Sequence, residues 1–255
     1  MMMQQQEEGA PSVSSHSDSE FGKTPISQEP PEIRSGFIQK VYSLLCIQLA
    51  VTFGICLYIN AHLSKEWVKA HISLYFVALG VAMATLIGTS CCCTRATRTF
   101  PTNYIFLGVI TLSMSVMVGF VTVFYTTESV LMALAAAVGV FLILTAFACI
   151  TKTDFTGLGP YLFAGLCTLS LFSFVMFLWS AITGHPLVGS WVHKAYAVLG
   201  LILFVFYIIY DTQKIVGGQH KNQFSVDDYV VATLDLYLDF VNLFLFLLEI
   251  LGDRD

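Results

Sequence analysis

An all-α membrane protein, a bundle of seven helices that cross the bilayer, is the fold class that three features of the sequence predict. Hydrophobic residues make up 56% of the 255 and charged residues only 11%, with a mean hydropathy of +0.75. A soluble domain of this length needs about twice that charge to cover its surface. Seven apolar runs are each long enough to span a bilayer. Acids stand inside the last run and near the end of the one before it. An Asp at mid-helix costs roughly 2.5–3.5 kcal/mol on insertion scales, so a membrane helix carries one for an ion path, a proton relay or a titrating sensor.

Residues 1–36 are rich in Gln, Glu, Ser and Pro and hold no apolar run. They read as a disordered cytosolic tail. The first hydrophobic stretch begins near Phe37 without a cleavage site, so it is expected to act as an uncleaved anchor. The transmembrane domain is expected over 37–252, with spans at 41–59, 72–90, 103–125, 129–150, 158–182, 195–213 and 229–251. The sixth ends with Asp211, and the seventh holds Asp235, Asp239, Asn242 and Glu249.

Orientation follows from counting Lys and Arg in alternating connections. With the N-terminus inside, the inner side carries eight (Lys23, Arg34, Lys40, Arg95, Arg98, Lys152, Lys214 and Lys221) against four outside (Lys65, Lys69, Lys194 and Arg254). A cytosolic N-terminus is therefore expected. Seven full spans place the C-terminus on the far side, whereas a re-entrant last segment returns it to the cytosol. The net charge of −5 is spread over tail, loops and the last two segments, and no basic patch suggests nucleic acid.

The seven cysteines lie in or beside apolar runs and form no disulfide framework. Cys91, Cys92 and Cys93 sit at a membrane edge before Arg95, a candidate for S-palmitoylation. The plainer reading is of small residues closing a helix end. The six histidines lie in the tail, loops and helix ends without paired ligand spacing, so they suggest no metal site. His220, in an inner loop beside Lys221, is a candidate for tuning a pH response, against the plainer reading of a solvated side chain. Lys152 and Asp154 are expected to form a surface pair worth at most about 1 kcal/mol.

Asp235 and Asp239 are spaced i, i+4, and Asn242 follows at i+3, so the three share one helical face. At about 1.5 Å per residue, Asp211 and Asp235 lie roughly 9 Å deep and Asp239 roughly 15 Å. Consecutive antiparallel helices plausibly neighbour each other, which brings Asp211 within reach of one or both acids. Two carboxyl groups sharing a dry site hold one proton between them and bind a cation when both ionise. A structural hydrogen bond at each Asp is the alternative. Glu249 lies near a helix end and can snorkel to the interface.

The stretch YDTQKIVGGQHKNQFSVDDYVVATLDLYLDFVNLFLFLLEILG (210–252) resembles the C-terminal signature of the transmembrane BAX inhibitor motif family, in particular its Lifeguard branch. FIQKVYSLLCIQLAVTFG (37–54), PTNYIFLGVITLSMSVMVG (101–119) and TKTDFTGLGPYLFAGL (151–166) resemble it too. The resemblance implies a seven-helix bundle of the Bax inhibitor type with a central C-terminal helix. It also implies a pH-sensitive Ca²⁺ leak governed by an aspartate pair, which maps onto Asp211 of YDTQ and Asp239 of LYLDF. Ca²⁺ is then the permeant ion, with transient sites at Asp211 and Asp239, and no cofactor is expected. Eukaryotic relatives suppress cell death at endoplasmic reticulum, Golgi or plasma membranes, which implies apoptosis-regulating membrane proteins as partners beside the lipid bilayer. Two positions depart from the pattern. Met114 stands where Lifeguard relatives commonly carry a Glu, and Asp235 where they often carry Asn.

A presenilin-type protease needs a Gly-x-Gly-Asp, but Leu236, Tyr237 and Leu238 precede Asp239, and Gly157-Leu158-Gly159 runs into Pro160. No enzyme is expected. An inner N-terminus and the lack of an outer cysteine pair argue against a hormone receptor. No internal repeat supports a proton-coupled transporter. Two expectations stay open: a pH-modulated Ca²⁺ leak through Asp211 and Asp239, with Asp235 and Asn242 as secondary pore-facing groups, and a non-conducting membrane interaction protein that restrains cell death through its partners.

Overall fold

Proline sets where the first helix starts. Pro30 is extended and Pro31 occupies the first turn, where its missing N–H is no loss, so α1 runs Pro31–His62. In the computed structural model, which describes residues 24–89, 96–185, 187, 189–218 and 220–254, seven more helices follow. They are α2 (Lys65–Ala70), α3 (Ile72–Ile87), α4 (Thr102–Thr122), α5 (Thr127–Ile150), α6 (Gly159–Thr183), α7 (Ser190–Val216) and α8 (Tyr229–Leu251). No strand occurs among the described residues.

Six of these helices, α1 and α4 to α8, are long and apolar enough to cross a membrane. The second expected span, 72–90, is α3, which has 16 residues. It measures about 24 Å, less than the ~30 Å hydrocarbon core. The first expected span, 41–59, is longer in the structure because α1 continues outward through the polar residues Glu32, Arg34, Gln39 and Lys40. The expected tail of 1–36 is also interrupted. A short 3-10 turn occupies Ile26–Gln28, with Ile26 completely buried. Cys91, Cys92 and Cys93 lie outside the described residues.

Alternate helix ends meet at two poles. At the pole holding the start of α1, the Arg98 guanidinium pairs with Asp228 at 2.8 Å, Asn103 Nδ2 donates to Tyr229 OH at 2.7 Å, and Lys40 Nζ sits 3.3 Å from the centroid of the Tyr229 ring. At the other pole, Thr126 N donates to Asp253 O at 3.2 Å and Arg254 reaches Tyr125 OH at 3.2 Å. These are called proximal and distal below. The last helix is unbroken over 23 residues and carries the chain from one pole to the other.

The core forms around α8, which packs against α1, α4, α5 and α7. No residue from 229 to 250 is exposed, as expected of a helix apolar nearly all round. Its Phe240 and Phe244 meet Phe53 of α1 edge-on, and Phe240 also meets Phe141 of α5. By contrast, Leu162 is the one residue of α6 that is fully buried among those described. The rest of that helix presents apolar side chains outward, suited to lipid. Helices α1 and α4 approach closely at Gly119, where a Cβ would collide with Ile59.

A polar seam runs inside this core between α1, α4 and α8. Gln48 Nε2 donates to Thr111 Oγ1 at 2.8 Å, Ser115 Oγ to Thr52 Oγ1 at 3.1 Å, and Thr52 and Tyr237 share a hydroxyl hydrogen bond of 2.8 Å. In hydrocarbon such bonds hold helices together, because lipid offers the same groups no partner. Met114 lies beside this seam and is buried in the apolar core.

Candidate functional site

The carboxylates that the sequence singles out come from two adjoining helices. Asp211 lies near the proximal end of α7; Asp235 and Asp239 lie on the facing side of α8, one turn apart. Asp211 and Asp239 are both buried where α7 packs on α8. Asp239 Oδ2 has no hydrogen-bond partner among the described residues. Asp235 is 32% exposed and borders a cavity of about 270 Å³ lined by Thr97, Arg98, Ile110, Asp228 and Leu234. The structure thus brings together three of the four expected groups.

Asn242 stands apart. Its amide donates to Leu238 O within its own helix at 2.8 Å. It lines a cleft of about 1190 Å³ between α3, α4, α6, α7 and α8 on the distal side. At the end of that cleft Glu249 accepts from Tyr125 OH at 2.7 Å and pairs with Arg254, so Glu249 is tied into a knot rather than simply snorkelling.

Sequence reasoning missed the cation of the site. Lys214, one turn beyond Asp211, counts in the sequence only as an orienting charge. Its Nζ lies 2.9 Å from Asp211 Oδ1 and 3.5 Å from Asp235 Oδ2. It also sits over the rings of Phe224 at 4.1 Å and Tyr210 at 4.9 Å. Its i, i+3 spacing from Asp211 was the available signal. Among the described residues no group of three or more His, Cys, Asp or Glu side chains is arranged to hold a metal. The ammonium stands where a cation would bridge Asp211 and Asp235.

The proximal loops are tied to the same stretch of α7. Gln213 accepts from Phe155 N at 2.8 Å and donates to Thr153 O at 2.9 Å, which holds the α5–α6 connection against α7. Asp154 does not pair with Lys152. It accepts from Thr156 N and Oγ1 at 2.9 and 2.7 Å and from Lys221 N at 3.2 Å, and it faces His220 Nδ1 at 3.3 Å. Partial burial works against its charge, but the Thr156 and Lys221 hydrogen bonds and the nearby His220 outweigh it and hold its carboxyl below the usual Asp range. Asn222 Nδ2 donates to Thr156 O at 2.8 Å, linking the connections on either side of α6 and α7.

Comparison with known proteins gives the family. The chain is 32% identical over 226 residues to human (Homo sapiens) Protein lifeguard 3, covering 88% of this chain and 70% of the relative. It is 31% identical to Protein lifeguard 3 of Mus musculus over 229 residues, 88% and 71% of the two chains. It is 32% identical over 231 residues to Bax inhibitor 1 of Schizosaccharomyces pombe, covering 90% and 80%. Residues 34–255 match the family described as Bax1-I, inhibitor of apoptosis-promoting Bax1. A multi-pass helical chain that carries this match over nearly its whole length belongs to the Bax inhibitor family, the family of transmembrane BAX inhibitor motif proteins that includes the Lifeguards.

Proposed function

We propose that this protein is a pH-sensitive Ca²⁺ leak channel of intracellular or plasma membranes that lowers stored Ca²⁺ and so suppresses apoptosis. We read the domain as seven membrane-crossing helices, α8 and six others including the short α3, with the proximal pole in the cytosol. The observation that carries the proposal is the burial of Asp211 and Asp239 where α7 packs on α8, flanked by Asp235 and Lys214. Two carboxyl groups that share a dry site hold one proton between them, so the pair is a natural proton sensor. Asn242, about 4.5 Å of helical rise beyond Asp239, opens to the distal cleft. A polar route from one pole to the other therefore needs only a short rearrangement. The relatives' names and the family description tie the chain to inhibition of Bax-promoted apoptosis.

The test is Ca²⁺ flux into liposomes holding the purified protein from about pH 6 to pH 8. Asp211→Asn and Asp239→Asn keep the shape of the site and remove its charge. A pH-dependent flux that flattens in both variants is expected. No flux above empty liposomes at any pH would sink the channel reading. The second reading, a non-conducting membrane protein acting through partners, is favoured by one observation: Lys214 already occupies the cation position between Asp211 and Asp235. On that reading both variants keep their partners and their protective effect.

A further inference from the structure

A short segment ahead of α1 lies across the proximal side of the carboxylate site. Ile26 N donates to Phe224 O at 2.9 Å, Ser27 N to Gln223 Oε1 at 3.1 Å, and Pro25 forms an antiparallel bridge with Ser225. Ile26 is fully buried. Its receptor is shaped for it: Gly217 takes a left-handed φ of 69°, and a Cβ there would stand 2.6 Å from Ile26 Cγ2. Gln223 is held by its own donations to Gly218 O at 3.1 Å and His220 O at 2.7 Å. The N–H groups of Ile26 and Ser27 are thus satisfied by the α7–α8 connection, while those of Gln28 and Glu29 bond within the segment.

An open-sided polar cavity of about 410 Å³ lies beneath this segment. Pro25, Ser27 and Gln28 line it on one side and His220 to Gln223 on the other, and Lys214 also borders it. Phe224, which receives the Ile26 N–H, also covers the Lys214 ammonium. The approach to Lys214 from the α7–α8 connection therefore passes under residues 24–29, whereas Asp235 also borders the separate cavity beside Arg98.

We infer that residues 24–29 are a detachable cover, docked through Ile26 on a receptor formed by Gly217 and Gln223–Ser225, which restricts entry of cations to Lys214 and its partner Asp211 from the side of the α7–α8 connection. The inference rests on the leak reading for its consequence, but docking of the cover can be measured without it. The segment is short, exposed at Thr24 and Gln28, and held by one buried side chain and two peptide hydrogen bonds. A cover so attached can lift without unfolding α1, whose first turn begins only at Pro31.

Two variants and two readouts test this. Ile26→Asp places a lone carboxylate in a buried apolar position, which shifts docking toward release by at least about tenfold. Pro25→Cys with Ser225→Cys fixes the cover, because bridge partners lie about 4.5–5.5 Å apart at Cα, within disulfide range. The first readout is labelling of Lys214→Cys, in the full-length protein, by a charged thiol reagent applied at the proximal face, with the Lys214 protein as background. The second is Ca²⁺ flux with Lys214 retained. Faster labelling with Ile26→Asp, raised flux in the same variant, and flux that falls on crosslinking and recovers on reduction are expected. Unchanged labelling with Ile26→Asp overturns the cover. So does flux that ignores both release and crosslinking in a protein that conducts. Faster labelling without flux in any variant supports the cover and overturns the leak instead.

Discussion

At the scale of single residues, Lys214 and Tyr237 make separable predictions. Lys214 is the internal counter-charge of Asp211 and Asp235. Removing one partner of a buried ion pair typically costs about 3–5 kcal/mol, so Lys214→Met is expected to lower the melting temperature in detergent. Millimolar Ca²⁺ should restore part of that loss by binding where the ammonium stood, while the unaltered protein gains little. A melting temperature of Lys214→Met that is indifferent to Ca²⁺ would show that the position cannot take a cation. Tyr237→Phe keeps the ring and deletes the hydroxyl shared with Thr52; the expected loss is about 0.6–1.7 kcal/mol, read by thermal unfolding, with flux unaltered. The three acids were legible in the sequence because charge inside an apolar run is conspicuous. Lys214 was not, since a Lys near a helix end looks like any orienting charge. The seam of Gln48, Thr52, Thr111, Ser115 and Tyr237 was also hidden. Scattered hydroxyl and amide groups on three helices show their partnership only when the helices are placed side by side.

At the scale of elements, hydropathy located the apolar lengths of the helices but not their polar extensions. The first residues of α1, 31–36 with Glu32 and Arg34, fall in the stretch read as tail, although proline at the first turn marks the start. The loops fared worse, because their order comes from contacts between distant segments. Asp154 is the clearest instance: sequence proximity suggested Lys152, whereas Thr156, Lys221 and His220 surround it. Its carboxyl is held below the usual Asp value of 3.8, so its charge favours the folded loops at every pH above that value. The contribution is lost as pH falls below 3.8 toward the depressed native value. Amide exchange at Thr156 and Lys221, corrected for intrinsic rates, is therefore expected to quicken between about pH 5 and pH 3. Asp154→Asn should exchange quickly at both. Slow exchange in that variant at the higher pH would remove Asp154 from its role in joining the two loops.

At the scale of the whole molecule, one helix serves two polar systems on opposite sides. Positions two apart on a helix differ by about 200°, so Tyr237 faces α1 and α4 while Asp235 and Asp239 face α7. Turning α8 about its axis to expose its acids would tear the Thr52–Tyr237 bond and the packing of Phe240 and Phe244 against Phe53. The other wall of the site, α7, is held at its proximal end through Gln213 and Lys214. Beyond α7 stands α6, whose described residues are almost all outward-facing, and α7 ends at Gly217. On the leak reading α7 is the rotor and α8 the stator: spin labels on α7 are then expected to change their distances to α1 as pH is varied, while labels on α8 keep theirs.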